Sequence, residues 1–214
     1  MKEHMNQTKE SSAGQMYFAR EPLSASKRVA CEYQAEGQRI RFQTDAGVFS
    51  VGEVDAGSDL LIRAVLEDQG ELRGDVLDLG CGWGAVGISL GKCRKDCRIT
   101  MVDVNLRALE LAKENAIANG IQAEILESDG FSGMQERLFD AVITNPPIRT
   151  GKEKVYELLD ASFEHLRVGG RLYVVIRKQQ GGDSCIRHLK EKFSDVEKIE
   201  RSGGYWVIRA VRDA

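Results

Sequence analysis

The chain is poor in proline and histidine, with three of each among its 214 residues. No apolar run approaches the ~18 residues of a bilayer-crossing helix, so a membrane span is not expected. Residues 1–15 are polar and mixed in charge and lack the apolar stretch of a secretory signal; a disordered tail is expected there. His4, His165 and His188 stand apart from one another. Without metal-ligand spacing, a paired-carboxylate motif or a Ser/His/Asp order, nothing suggests a metal site or a hydrolase. The five cysteines (Cys31, Cys81, Cys93, Cys97, Cys185) are odd in number and scattered, which suits reduced thiols in a cytoplasmic protein better than a disulfide framework. A net charge of −3 does not advertise a polyanionic partner, although a local basic patch is compatible with it.

What is present is a change of periodicity. Val29, Cys31 and Tyr33 alternate, Glu36-Gly37 reads as a turn, and Ile40 and Phe42 alternate again, predicting a hairpin. Asp55-Ala56-Gly57-Ser58 reads as a helix start, followed by an apolar stripe at Leu60, Leu61, Ala64 and Val65. From Gly74 onward short apolar runs alternate with helical patterns: strands at 76–79, 99–102, 123–126, 141–144 and 171–176, helices at 85–90, 106–118, 153–165 and 184–193. Strands 196–199 and 205–211 are separated only by Ser202-Gly203-Gly204, a connection short enough to require an antiparallel hairpin. The expected fold is α/β: a doubly wound, seven-stranded, mostly parallel sheet with a C-terminal antiparallel hairpin. A small N-terminal β extension (16–54) is expected to pack on a main domain of residues 55–214.

Asp78-Leu79-Gly80-Cys81-Gly82-Trp83-Gly84 joins the first strand of that sheet to its first helix. Glycines there permit a sharp turn and close approach of a ligand to the main chain. Asp103 closes the next strand, where a carboxylate can accept from both ribose hydroxyls of a nucleoside cofactor. Gly80-x-Gly82-x-x-Ala85 with Asp103 also satisfies a dinucleotide fingerprint, so an NAD(P)-dependent oxidoreductase stays open at this point. The acid that opens the motif, Asp78, favours a cofactor with an amino-acid portion over one bringing a diphosphate to the helix N-terminus. Asp129 and Gly130 end the third strand, where a carboxylate and an N–H can meet an adenine edge.

Two of the three prolines fall together in Asn145-Pro146-Pro147-Ile148, at the end of the fourth strand. Proline fixes φ, removes an N–H and restricts its predecessor, so this backbone is stiff. The Asn145 side-chain oxygen and the Pro146 carbonyl offer two acceptors to an amino group whose lone pair is delocalised into a ring or carbonyl. That would bias the nitrogen toward a pyramidal shape by position and electrostatics, without a strong base. Ile148 would pack on a face of the acceptor.

These residues resemble the class I S-adenosylmethionine (SAM)-dependent methyltransferases, over nearly all of 45–211. Asp78-x-Gly80-x-Gly82-x-Gly84 is similar to their first motif, Asp103 to their ribose-binding acid, and Asn145-Pro146-Pro147 to their amino-methylating motif. Gly47-Val48-Phe49-Ser50, Asp55-x-Gly57-Ser58 and Asn145-Pro146-Pro147-Ile148-Arg149-x-Gly151-Lys152 resemble most the bacterial 16S rRNA guanine-N2 methyltransferases of the small-subunit rRNA methyltransferase C type. The resemblance implies SAM as cofactor, with Phe49, Asp55, Gly57 and Ser58 near it, and 16S rRNA or the small ribosomal subunit as partner of a monomer in the cytoplasm. Similar Asn-Pro-Pro motifs serve adenine N6 and protein glutamine, and a SAM-binding protein without catalysis is a further alternative. Many members carry Phe where this chain has Ile148, and the longer ones carry a duplicated N-terminal domain for which 214 residues leave no room. Arg149 and Lys152, with Lys154, Lys27, Arg28, Arg39 and Arg41, are candidate phosphate contacts.

Overall fold

The computed structural model describes Arg20, residues 24–68 and residues 72–213, and of Arg149 the main chain only. The expected disordered tail, 1–15, lies outside the described residues.

The hairpin forms as β1 (Val29–Ala35) and β2 (Gln38–Thr44), in a two-stranded sheet of its own. Its turn residues Glu36 and Gly37 both have positive φ (44° and 75°), the pairing that matches the twist of a two-residue hairpin. The rest alternates: α1 (Ala56–Glu67), β3 (Gly74–Leu79), α2 (Ala85–Cys93), β4 (Cys97–Asp103), α3 (Leu106–Asn119), β5 (Ala123–Glu127), β6 (Phe139–Thr144), α4 (Lys152–Glu164), β7 (Leu166–Arg177), α5 (Gly182–Leu189), β8 (Asp195–Ser202) and β9 (Tyr205–Val211). The seven-stranded sheet runs β5-β4-β3-β6-β7-β9-β8, parallel from β5 to β7 and antiparallel at β9 and β8.

Both faces of the sheet are covered, which is why its central strands are nearly continuous apolar runs. Val76, Met101, Ile143, Val175 and Val207 face a core shared with α1, α2, α3 and the hairpin. Leu77, Val102, Val142, Val174 and Ile208 face a second core with α4 and α5. The chain builds outward from β3 to β5, then returns to place β6 on the other side of β3. Leu79 lies in register with Thr144, so the glycine loop and the Asn-Pro-Pro segment leave adjacent strand ends. This reversal is the topological switch point where open α/β sheets bind ligands.

Two elements depart most in extent from the ranges expected from sequence. β7 begins at Leu166 because Gly169, with φ +79°, and Gly170 let the strand continue through a bend, bonded to Arg212 on both sides. α5 stops at Leu189, where the N–H groups of Lys192 and Phe193 both turn back to the Leu189 carbonyl.

The outer edge of β2 is paired by side chains. Asn115 and Asn119, one helical turn apart on α3, each exchange two hydrogen bonds with a β2 residue. Gln43 N–H donates to Asn115 Oδ1 (2.7 Å) and Asn115 Nδ2 to the Gln43 carbonyl (2.9 Å). Arg41 does the same with Asn119, at 3.0 and 2.7 Å. Four helical residues rise about 6 Å and two strand residues about 6.6 Å, so the two carboxamides imitate alternate residues of a missing strand. Asn115→Ala would leave both main-chain groups of Gln43 short of partners, and the Trp83 carbonyl with them. A loss of roughly 1–3 kcal/mol is expected in urea unfolding; an unchanged midpoint would mean that the strand does not depend on this pairing.

Candidate active site

One cavity of about 1030 Å³ opens at the C-terminal ends of β3, β4, β5 and β6. Its size reaches the upper end of ligand pockets, roughly 300–1,000 Å³, enough for a nucleoside cofactor and a second planar group.

The glycine loop forms one wall. Gly80 (φ 75°) and Gly82 (φ 54°) have open space where a Cβ would stand, a cradle that a side chain would fill. The loop is pinned to β4: Gly80 N–H and Cys81 N–H both donate to the Val102 carbonyl at 2.9 Å. Gly84 caps α2 with φ 89°, and a Cβ there would strike Ile88; it supports the loop and does not line the cavity. Asp78 is buried beneath the loop, and its Oδ2 accepts from Gly87 N–H at 2.7 Å. Burial, with the Asp103 charge in addition, pushes its pKa up to about 7. Asp103 accepts from Gly82 N–H (2.8 Å) and Asn105 N–H (2.9 Å). Burial raises its pKa against these bonds, the balance expected of a carboxylate kept for a polar ligand.

The third strand end brings Asp129 and Gly130 to the same cavity. Asp129 is largely exposed and lies 3.5 Å from Lys154 Nζ, while Gly130 (φ 60°) presses against Leu158. Glu127 also lines the cavity, in register with Asp103 and paired with Arg20. The apolar run that marks this strand stops at Leu126, one residue short of Glu127; an acid closing β5 beside the acid closing β4 is the signal the sequence carries.

Across the cavity, Asn145 leaves β6 half-buried. Its Nδ2 donates to Ser58 Oγ at 3.1 Å and approaches Asp55 Oδ1 at 3.5 Å. Asp55 caps α1, accepting from Gly57 N–H and Ser58 N–H. A carboxylate can only accept, so it selects the NH₂ side of the carboxamide and leaves Asn145 Oδ1 for a ligand. Pro147 (φ −73°, ψ 79°) makes an inverse γ-turn in which the Pro146 carbonyl accepts from Ile148 N–H at 2.8 Å, using one of its two lone pairs. The Pro147 carbonyl is taken by the main-chain N–H and the hydroxyl of Thr150. Ile148 lines the cavity; Lys152 does not, its Nζ lying 5.1 Å from the Tyr156 ring centre. Gly57 faces the Tyr205 ring and is not part of the cavity wall.

Phe49 is placed by a contact that no local motif announces. The buried Trp83 of the glycine loop donates Nε1–H to the Phe49 carbonyl at 2.7 Å and stacks edge-on against Phe42. This ties the 49–51 segment to the loop and leaves Phe49 52% exposed where it lines the cavity with Val51. Arg177 at the end of β7, Gln180 in the turn that follows it and Tyr205 at the start of β9 complete the cavity wall. Among the described residues no group of His, Cys, Asp or Glu could hold a metal ion, and no helix is long and apolar enough to cross a membrane.

Residues 39–209 match the family model for the methyltransferase small domain. The chain is 42% identical to the uncharacterized protein YbxB of Bacillus subtilis (strain 168), covering 91% of this chain and 96% of that one. It is 34% identical to the ribosomal RNA small subunit methyltransferase C of Haemophilus influenzae (strain Rd), over 75% of this chain. It spans about half the length (48%) of that relative. Among solved structures, the 16S rRNA N2 methyltransferase RsmC of T. thermophilus, in complex with AdoMet and guanosine, matches with a TM-score of 0.79 and 29% identity, over 89% of this chain and 52% of that one. A Pyrococcus furiosus methyltransferase shares the fold, at a TM-score of 0.59 and 23% identity over 67% of this chain and 78% of that one. The fold is that of the class I methyltransferases, and the chain belongs to the methyltransferase small domain family.

Proposed function

We propose that this chain is a SAM-dependent N-methyltransferase that acts on the exocyclic N2 amine of guanine in 16S rRNA. The observation that carries the reading is the fixed carboxamide of Asn145, its oxygen free for a ligand, across one cavity from the Gly80–Gly82 cradle and Asp103. Support for guanine comes from relatives named as ribosomal RNA small subunit methyltransferases and from the RsmC structure with guanosine bound.

When bound, SAM supplies an electrophilic methyl group on a sulfonium sulfur. The residues of this chain do the remaining work. Gly80 and Gly82 would admit the cofactor against their main chain, Asp103 would receive its ribose hydroxyls, and Asp129 and Gly130 would meet its adenine. Asn145 Oδ1 and the remaining lone pair of Pro146 O accept the two N–H groups of the acceptor amine, turning its lone pair toward the methyl. Ile148 packs on the base. Held this way, the nitrogen would take the methyl group from the sulfonium sulfur, which would leave with the bonding pair, and would then shed one proton to solvent. Because the amine is held by acceptors, no residue with a tuned basic pKa is required.

Purified protein given labelled SAM and small ribosomal subunits lacking this methylation is expected to incorporate label recovered as N2-methylguanosine. Mass spectrometry of the digest decides the acceptor: N6-methyladenosine or N-methylglutamine would overturn the guanine assignment, and no transfer to RNA or protein would overturn the enzymatic reading.

A further inference from the structure

Of the seven cations named from sequence as phosphate contacts, four are ion-paired in the fold, Lys27 and Lys152 make no ion pair among the described residues, and the side chain of Arg149 lies outside them. Arg28 pairs with Glu114 at 2.6 Å, and Arg41 and Arg39 share Glu32 at 3.2 and 3.7 Å. Lys154 pairs with Asp129. Arg177, Lys178, Lys198 and Arg201 also make no ion pair among the described residues, and all four are exposed around the end of β7 and the β8–β9 hairpin.

Three of the four lie over two aromatic side chains of β9, Tyr205 and Trp206, which alternate on the two faces of the sheet. The Arg177 guanidinium lies over the Tyr205 ring, 4.5 Å from its centre. Lys198 Nζ and Lys178 Nζ lie 4.2 and 5.7 Å from the centre of the Trp206 ring. Arg201 is in register opposite Trp206. Glu200, the acid inside this stretch, has an oxygen turned to Arg201 N–H at 2.7 Å. Aromatic faces attract and hold long cationic side chains, lowering the ordering cost of a later contact without neutralising the charge. Trp206 is itself buried, so the rim presents charge and not an exposed stacking surface. Arg177 and Tyr205 line the cavity, and Tyr205 packs against Gly57 beside Asp55, so this end of β7 and β9 borders the wall that holds Asn145.

We propose that Arg177, Lys178, Lys198 and Arg201 form a phosphate-binding rim that guides the RNA strand flanking the target nucleotide into the cavity. Unpaired cations beside the acceptor wall, three of them held over aromatic rings, fit the regularly spaced phosphates of a single strand, and their contacts carry no base preference. The proposal rests on RNA being the substrate.

The test uses Lys198→Ala/Arg201→Ala, two positions outside the cavity wall, with an unmethylated transcript of 16S rRNA as probe. The variant is expected to bind the transcript at least ~10-fold more weakly at low salt, with the salt slope reduced by about 1.4–1.8 for two lost phosphate contacts. SAM binding by calorimetry should be unchanged, and Lys198→Arg/Arg201→Lys should restore RNA affinity. Affinity and slope equal to wild type in the alanine variant would overturn the rim alone. An alanine variant that binds the bare transcript normally but loses the intact small subunit would assign the rim to a ribosomal protein, and also overturn it. Wild-type protein that binds RNA at no salt concentration would remove both the rim and the RNA reading on which it stands.

Discussion

Asn145→Ala is expected to slow methyl transfer by roughly 10²–10³-fold, the range seen when one preorganised polar contact to a transition state is removed. Affinity for SAM should stay near the wild-type value, because the Asn145 wall and the glycine wall come from different strands. The reason for so large an effect is orientation. Ser58 Oγ and Asp55 Oδ1 hold the NH₂ side of the carboxamide, at 3.1 and 3.5 Å, before any substrate arrives. The oxygen therefore reaches the acceptor amine with its rotational freedom already removed. Ser58→Ala should lower kcat, by less than Asn145→Ala, with little effect on KM; added to Asn145→Ala it should cost almost nothing more. Additive losses would mean that Ser58 acts on the cofactor independently of Asn145. Equal loss of SAM binding and transfer in Asn145→Ala would mean that the asparagine serves the cofactor, and the acceptor chemistry would need another residue.

The parts of this arrangement readable in the sequence were those encoded locally. The changes of apolar period marked the central strands, because strands buried on both faces must be apolar almost throughout, while the half-exposed edge strands β5 and β8 were marked by their place between helices and turns. The Gly80–Gly84 and Asn145–Pro147 segments were visible because turns and stiff corners demand particular residues in a row. What could not be read was whatever depends on pairs distant in sequence. Nothing around Trp83 announces that its indole N–H will hold the Phe49 carbonyl 34 residues away. Asp55 was legible as a helix start, yet its approach to Asn145 spans 90 residues. Charge shows the same limit: Arg28 and Lys198 look alike in a sequence, and only the fold gives one a carboxylate partner and the other an aromatic ring. The asparagines that complete β2 were unreadable for a related reason, since a polar residue inside a helix usually signals a solvated face.

The affinity for SAM is expected to fall roughly tenfold for each pH unit below about 7, because one proton must leave Asp78 for the cofactor to bind well. In the unliganded protein, burial and the Asp103 charge push the Asp78 pKa up to about 7. The cofactor's amino-acid end carries an ammonium, which favours the carboxylate form and so opposes that shift on binding. The same displacement has a consequence for stability with the opposite sense. A carboxyl whose pKa is raised by folding stabilises the fold while protonated. That contribution is complete below the unfolded pKa and is lost as pH rises through about 7. Asp78→Asn separates the two effects. Its carboxamide oxygen can still accept from Gly87 N–H, now 2.7 Å from Asp78 Oδ2, so the loop should keep its shape. At pH 8 the unliganded variant should melt at or above the wild-type temperature, because the buried charge is gone. Its SAM affinity should be at least ~10-fold weaker and flat across the range where wild type varies, the loss expected of one buried charge-assisted contact. A wild-type SAM affinity independent of pH between about 5.5 and 8.5 would exclude Asp78 from the cofactor's charged end, since a group titrating near 7 in that contact must show in the binding constant.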